Sequence, residues 1–279
     1  MISSESLKGK IRNIAISKNL RSQEVLQMFF FERFLKRLSV SEYKYNFIIK
    51  GGVLISSMIG IDNRTTMDMD TTVKGVALKE DIIRNVISKI INTVVDDGIE
   101  FEITGISHIR EEDEYENFRV NLIAEFGKIK NDMKIDITTG DAITPKEMEY
   151  LYPCMFQNES IRVLAYPLET ILAEKYESVI KRNIATTRMR DFYDLYNLYN
   201  LRKEEIDFDT LKQAIISTSN RRESLSLIKE AMEIIEDIKE DYYLKELWKV
   251  YLADNLYVGD LDFLETVKIV EIIADKIAL

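Results

Sequence analysis

The chain has 279 residues, of which 46% are hydrophobic, with only three prolines and ten glycines, a composition that can bury a sizeable core. Acidic residues outnumber basic ones by 48 to 38, so the net charge of −10 repels polyanions unless basic residues cluster or metal ions neutralise a site. Cys154 is the only cysteine, which excludes an internal disulfide and favours a reducing cytoplasm. We see no signal segment and no apolar stretch approaching about 18 residues, and therefore expect a cytoplasmic protein without a membrane partner.

The N-terminal half alternates between helix and strand patterns. Apolar residues recur at helical spacing over residues 5–38, with a break near residues 17–22. Residues 118–126 alternate apolar and polar side chains, the period of a half-buried strand, and they predict a hairpin with residues 133–138. The other predicted elements are a strand at 47–49, a helix at 53–59, a strand at 66–73, a helix at 78–95 and a strand at 101–109.

The C-terminal half changes character, because almost no glycine or proline follows Pro167 and helical spacing recurs to the end. The predicted helices are at 168–182, 188–201, 208–216, 225–238, 243–252 and 263–278. We therefore predict an α+β protein, with a mixed sheet and helices in residues 1–160 and an all-helical domain in residues 161–279 that completes a cleft. The change of pattern falls between residues 145 and 165.

The most informative local pattern is Asp68-Met69-Asp70 in a predicted strand. Side chains two apart on a strand point to the same face, so both carboxylates can share one site. Hard oxygen ligands of this kind suit Mg²⁺ or Mn²⁺, which complete their shells with water and substrate phosphates. The alternative is a solvated strand edge. His108, the only histidine, lies in another predicted strand and is interpreted as structural.

Two further features favour a metal and phosphate site. Asp136 lies in a largely apolar strand, where a third carboxylate would complete a cage for the two metal ions of a phosphoryl or nucleotidyl transfer. Gly51-Gly52, between a strand and a helix, lets backbone N–H groups approach phosphate oxygens at a helix N-terminus. The alternative for Asp136 is an acid on the solvated face of its strand, and the alternative for Gly51-Gly52 is a plain turn.

Positive charge concentrates in the helical half, against the acidic composition. The residues are Lys175, Lys181, Arg182, Arg188 and Arg190. They can form a phosphate-binding groove, or a solvated helix face beside Glu174 and Glu177. Asp191 and Asp194 share one helix face, with Arg188 three residues before Asp191. These form either a structural ion network or a carboxylate placed near a reacting hydroxyl.

Four blocks in this order resemble the AbiEii/AbiGii toxins of bacterial abortive-infection, type IV toxin–antitoxin systems, within the DNA-polymerase-β-like nucleotidyltransferase superfamily. The resemblance spans most of the chain. The blocks are residues 47–52 (FIIKGG), 64–70 (RTTMDMD), 168–175 (LETILAEK) and 187–196 (TRMRDFYDLY). The resemblance implies a nucleotidyltransferase fold, in which the glycine turn and the Asp-x-Asp pair bind triphosphate and metal.

The resemblance also implies roles for other matching residues. Lys175 is expected to contact phosphate and Asp191 to act as a base, while Asp68, Asp70 and Asp136 are the candidate metal ligands. The candidate nucleotide-binding residues are Lys50, Gly51, Gly52, Ser56, Arg64 and Arg188. The superfamily usually has Gly-Ser in its first motif, whereas Val53 follows Gly52 here, so a hydroxyl contact to phosphate depends on Ser56 or Ser57.

The implied function is a growth-arresting toxin of a phage-defence system. It would bind a nucleoside triphosphate, GTP or CTP, with Mg²⁺ or Mn²⁺, and transfer a nucleotide to RNA such as the acceptor end of tRNA. A cognate antitoxin would neutralise it without a stable complex. Two alternatives remain open: a small-molecule or protein acceptor, and a GTP-sensing module with weak or no catalysis that acts through a protein partner.

Overall fold

The computed structural model describes residues 3–109 and 117–279. The chain forms two compact units, the first from Met1–Gly140 and Met148–Ala165, and the second from Asp141–Glu147 and Tyr166–Leu279. The first, here called the sheet unit, carries all the strands of the described residues, and the second, the helical unit, carries only helices and turns. None of the described helices is long and apolar enough to cross a membrane.

The sheet unit alternates helices with strands along most of its length. In chain order its elements are α1 Ser4–Ser17, α2 Ser22–Val40, β1 Phe47–Lys50, α3 Gly51–Ile59, β2 Asp68–Val73, α4 Glu80–Ile91, β3 Glu100–His108, β4 Phe118–Phe126, β5 Ile129–Thr138, β6 Met148–Pro153 and β7 Ser160–Ala165.

These strands form one mixed sheet with the order β3-β4-β5-β2-β1-β7-β6. The pairs β2–β5 and β1–β7 are parallel and the other neighbouring pairs are antiparallel. Strands distant in sequence therefore lie side by side at the centre of the sheet. This arrangement brings the C-terminal part of β5 beside β2.

Helix α2 packs against the sheet at β5 and β7. Its Phe30, Phe31 and Phe34 side chains are fully buried, and burial of such aromatic surface is the main stabilising contribution to a core. Arg37 crosses to the turn before β3, where its guanidinium donates to both carboxylate oxygens of Asp97 at 2.9 and 2.8 Å. This charge pair joins α2 to the turn before β3.

The helices of the helical unit are, in chain order, α5 Leu168–Arg182, α6 Met189–Arg202, α7 Phe208–Arg221, α8 Leu225–Lys229, α9 Ala231–Glu240, α10 Tyr242–Asp254 and α11 Phe263–Ile277. Helix α5 packs against α6 and α7, while α11 packs against α6 and α9. Trp248, the single tryptophan of the chain, is buried here and donates its Nε1–H to the carbonyl of Leu261 at 2.8 Å.

The predicted α+β class, mixed sheet and helical C-terminal half are confirmed, as is the β4–β5 hairpin. Three expectations were wrong. No strand was predicted in residues 145–165, where β6 and β7 pair. One helix was predicted where the chain forms α8 and α9, with a turn at Glu230 between them. Gly51 and Gly52 were predicted to form a turn, whereas they are the first residues of α3.

Candidate functional site

The glycine pair lies directly against the carboxylate-bearing strand. Gly51 opens α3 with a φ of +60°, a conformation that favours glycine. A Cβ atom at Gly51 would collide with the Asp70 carboxylate, and one at Gly52 would lie 2.6 Å from Thr66 Oγ1. Both positions therefore require a residue without a side chain, because β2 and the segment before it approach the helix N-terminus so closely.

Asp68 and Asp70 share one face of β2, with buried Met69 between them on the other face. Asp70 pairs in register with Lys50 on β1 and with Asp136 on β5. Thr71 Oγ1 donates to the Asp136 carbonyl at 3.1 Å and ties the two strands together at this point. The fold thus brings the predicted carboxylates to neighbouring strand positions.

Arg119 on β4 engages the third carboxylate. It is the register partner of Asp136 in the β4–β5 hairpin, and its Nε and Nη2 donate to the two oxygens of Asp136 at 2.8 Å each. The hydrogen bonds to Asp136 raise the pKa of the Arg119 guanidinium in spite of partial burial, and the charges of Asp136, Asp68 and Asp70 act in the same direction. The Arg119 guanidinium is therefore attracted by the charges of all three carboxylates.

The carboxylates fit a divalent cation by their chemistry, since they are hard oxygen donors beside a backbone that leaves no room for a Cβ. In the side-chain arrangement of residues 3–109 and 117–279, however, no three His, Cys, Asp or Glu residues are grouped so that they could hold a metal ion. Arg119 takes both oxygens of Asp136. Asp70 is the candidate ligand that lies against Gly51, and the metal-binding roles of Asp68, Asp70 and Asp136 stay predictions.

The other predicted nucleotide-binding residues of the sheet unit lie around the start of α3. Ser56 is fully buried and donates to the Gly52 carbonyl at 2.7 Å, and Ser57 donates to the Leu54 carbonyl at 2.7 Å. The Val53 side chain is fully buried. Arg64 is also buried, with Nη1 donating to the Thr65 carbonyl. Phosphate contacts from Ser56 or Ser57 would require their hydroxyls to leave these carbonyls.

In the helical unit, Lys175 lies between two buried carboxylates. Its Nζ is 2.6 Å from Asp191 Oδ1 and 2.9 Å from Asp194 Oδ2. Ser178 Oγ donates to Asp191 Oδ2 at 2.9 Å, and Arg188 Nε lies 3.2 Å from the same oxygen. Asp191 and Asp194 are 3% and 0% exposed, against 51% for Arg188. The cluster is thus a buried ion network with one exposed cation.

The network fixes the charges of its members. Burial opposes the charged form of Asp191, but Lys175 and Arg188 outweigh it and lower the pKa of its carboxyl overall. Burial likewise opposes the charged form of Lys175, while Asp191 and Asp194 raise its pKa overall. Asp191 is therefore a carboxylate at neutral pH and Lys175 an ammonium.

A second charge cluster, which was not predicted, joins α5 to the turn after α7. Glu177 is 1% exposed, and the Arg222 guanidinium donates to Glu177 at 2.8 Å and to Glu174 at 2.7 Å. Ser224 donates to the other Glu177 oxygen at 2.7 Å. The carboxylates of Glu174 and Glu177 are therefore tied to the turn after α7.

Two solved structures share this fold. The JHP933 protein from Helicobacter pylori matches with a TM-score of 0.56 at 19% identity, over 92% of this chain and 93% of its own. A second H. pylori protein, provisionally described as a nucleotidyltransferase, matches with a TM-score of 0.54 at 17% identity, over 92% of this chain and 96% of its own. Among curated proteins, none matches this chain. The fold is that of nucleotidyltransferase-like proteins.

A comparison of the sequence with family models shows which family this chain belongs to. A family model described as the nucleotidyl transferase AbiEii toxin of type IV toxin–antitoxin systems matches residues 33–276. The chain belongs to the AbiEii nucleotidyltransferase toxin family, which confirms the resemblance carried by the four sequence blocks.

Proposed function

We propose that this protein is the toxin of a type IV toxin–antitoxin phage-defence system, which binds a nucleoside triphosphate with Mg²⁺ and transfers a nucleotide to RNA. The observation that carries the proposal is the placement of Asp68 and Asp70 on one face of β2, with Asp70 against Gly51 and Asp136 in register beside Asp70. Family membership supports the toxin role. GTP or CTP is the proposed donor, the acceptor end of tRNA the proposed acceptor, and a cognate antitoxin acts without a stable complex.

In the sheet unit, Asp68, Asp70 and Asp136 would hold Mg²⁺ or Mn²⁺. When bound, the metal would supply positive charge to the triphosphate oxygens and stabilise the attacking and leaving oxygens. The N-terminus of α3 offers backbone N–H groups to a phosphate. Lys50, Ser56 and Arg64 are further proposed contacts around it.

In the helical unit, Lys175, Arg188 and Asp191 are the proposed functional residues. Arg188 is half exposed and its guanidinium suits a phosphate group. Asp191 is ionised, as a proton acceptor must be, and Lys175 fixes its orientation by a short charge-assisted bond. We propose that Lys175 and Arg188 neutralise phosphate charge and that Asp191 is the base that deprotonates the acceptor hydroxyl.

The test is to incubate purified protein and Mg²⁺ with each labelled triphosphate and total cellular RNA. We expect label on an RNA band with one or two of the four triphosphates. The Asp68→Asn variant should lose labelling by a factor of about 100 or more, since a missing metal ligand removes charge stabilisation from the transition state. Asp132→Asn is the matched control, an exposed aspartate on β5, and should label like wild type.

Equal labelling by the Asp68→Asn variant and wild type would refute the site. Labelling of protein or of a small molecule in place of RNA would support the same chemistry with a different acceptor.

A nucleotide-sensing module that acts through a protein partner is the second candidate. One observation that favours it is the bidentate Arg119–Asp136 pair, in which Arg119 is bound to both oxygens of the third carboxylate. The other is the buried Val53 side chain at the position where the superfamily usually has serine. Metal-dependent triphosphate binding without transfer to any acceptor would support this candidate over the enzyme.

A further inference from the structure

Arg119 is a residue that the sequence motifs leave out, and it lies on β4 at the edge of the carboxylate site, beside Asp136. Its side chain is 34% exposed, whereas that of Asp136 is 14% exposed. It reaches Asp136 with two parallel hydrogen bonds, the geometry in which guanidinium binds a carboxylate most strongly. The same planar fork also matches two oxygens of a phosphate group.

A cation is needed at this point because Asp68, Asp70 and Asp136 lie on adjacent strands and repel one another. Arg119 supplies that cation from the opposite side of β5, and the charges of Asp68 and Asp70 add to the attraction of Asp136. A divalent ion held by the three carboxylates would coordinate at least one of the Asp136 oxygens that Arg119 now uses, and would draw on the same negative charge. Arg119 and the metal thus compete for one carboxylate.

We propose that Arg119 exchanges partners during substrate loading: it holds Asp136 in the metal-free protein and moves to a phosphate group of the bound nucleotide when Asp136 becomes a metal ligand. The proposal rests on the proposed function, because it assumes the metal and the triphosphate. Arg119 stays in hydrogen bonds throughout, so its partly exposed guanidinium keeps a charged partner in both states. It would be a phosphate-binding residue of the sheet unit in addition to the glycine pair.

The exchange predicts effects of opposite sign on two ligands. In the Arg119→Met variant Asp136 loses its competing cation, so Mn²⁺ alone should bind more tightly than to wild type. The same variant lacks the fork for phosphate, so a triphosphate at saturating Mn²⁺ should bind about 10- to 100-fold more weakly, the effect of losing hydrogen bonds to a charged group. A residue that merely supports the β4–β5 hairpin would weaken both ligands together.

Calorimetry with Mn²⁺, and then with GTP and CTP at saturating Mn²⁺, measures both effects without using activity. Arg162→Met is the matched control, because Arg162 forms an exposed pair with Glu149 in the same sheet, with 68% and 54% of the two side chains exposed. It should change neither affinity. Arg119→Lys keeps the charge but not the fork, and should recover Mn²⁺ affinity close to wild type without recovering triphosphate affinity.

A direct readout is the Nε–H signal of Arg119 in a ¹H–¹⁵N spectrum of the wild-type protein, assigned by its loss in Arg119→Met. We expect it to shift when a diamagnetic divalent ion such as Mg²⁺ is added, and to shift again with triphosphate. No change on either addition, or weakening of both ligands in Arg119→Met, would overturn the exchange. A wild type that binds neither Mn²⁺ nor triphosphate would overturn the proposed function as well, so the two failures differ.

Discussion

At the scale of single residues, Gly51 is the position where backbone and chemistry depend most closely on each other. Its positive φ and its contact with the Asp70 carboxylate both require the absence of a Cβ atom. The glycine therefore sets how near a carboxylate can come to the first N–H groups of α3. A site for a phosphate and its metal needs such a close approach.

Gly51→Ala should therefore impair both stability and binding. The left-handed conformation alone costs a non-glycine residue about 1–2 kcal/mol, and the new methyl group must also displace the Asp70 carboxylate. We expect a lower melting temperature and loss of metal-dependent triphosphate binding, measured by thermal melting and calorimetry.

Gly9→Ala is the matched control for that substitution. Gly9 is exposed within α1, and no atom lies within 4 Å of its added Cβ. Alanine there should stabilise the protein by about 0.5–1 kcal/mol, because it lowers the entropy cost of the helix. If Gly51→Ala behaved like Gly9→Ala in both measurements, the close approach would have no functional meaning.

At the scale of elements, local patterns predicted the pairs that are near in sequence. The β4–β5 hairpin was predicted from alternation and a turn, but its second strand was predicted to begin at residue 133, whereas β5 begins at Ile129. The pairing of Arg119 with Asp136 follows from the two-residue turn between Phe126 and Ile129, which the predicted longer turn does not give. The parallel pairing of β2 with β5 could not be derived, because it joins segments separated by α4 and a hairpin.

The missed strands show a similar division. In β7, Ile161, Val163 and Ala165 alternate with more exposed residues, a period-2 pattern that the sequence already carries. In β6 most side chains are exposed, so no alternation marks it as a strand. Its place at the edge of the sheet depends on pairing with β7, and this tertiary contact cannot be read from the local pattern of β6.

Helices α5 and α6 are joined by the ion network of Lys175, and we predict that its removal is costly. Lys175→Met leaves Asp191 and Asp194 buried beside each other without their shared cation, and breaking a buried pair costs about 3–5 kcal/mol. Lys249→Met is the control, since its pair with Glu246 on α10 is exposed and worth little. Denaturant unfolding of the two variants measures the difference; equal stabilities would contradict the burial of the network.

The loss of stability expected for Lys175→Met affects how the function of Lys175 can be tested. Growth arrest could be lost because the variant unfolds, so loss of toxicity alone does not assign a phosphate contact to Lys175. Arg188→Gln is the better probe, because Arg188 is half exposed and its removal leaves Asp191 paired with Lys175. We predict unchanged melting with reduced toxicity for this variant. Full toxicity would limit Arg188 to a surface contact.

At the scale of the whole molecule, the buried network makes the free energy of unfolding depend on pH. The pKa of Asp191 is lowered from its ordinary 3.8 by Lys175 and Arg188 against the effect of burial, so its contribution is present above that value and lost as pH falls through the folded pKa. The pKa of Lys175 is raised from 10.5 by the two aspartates, also against burial. Its contribution is present below 10.5 and lost as pH rises through the folded pKa.

Urea unfolding between pH about 3 and 11 should therefore show a plateau near neutrality with a decline at each end. The Asp191→Asn variant should be less stable on the plateau and should lose part of the acid decline. Asp132→Asn, on exposed β5 surface, should follow wild type at every pH. An acid limb in Asp191→Asn as steep as that of wild type would mean that other carboxyls cause the decline.

The burial of Trp248 has an optical consequence. Because it is the only tryptophan of the chain and lies in the core of the helical unit, its emission reports the packing of α10 and α11, and no tryptophan signal comes from the sheet unit. The 14 tyrosines and the far-ultraviolet circular dichroism draw on both units. Following the two signals in one denaturation experiment therefore tells a variant such as Gly51→Ala, which strains the sheet unit, from Lys175→Met, which strains the helical one. No dye or inserted label is required.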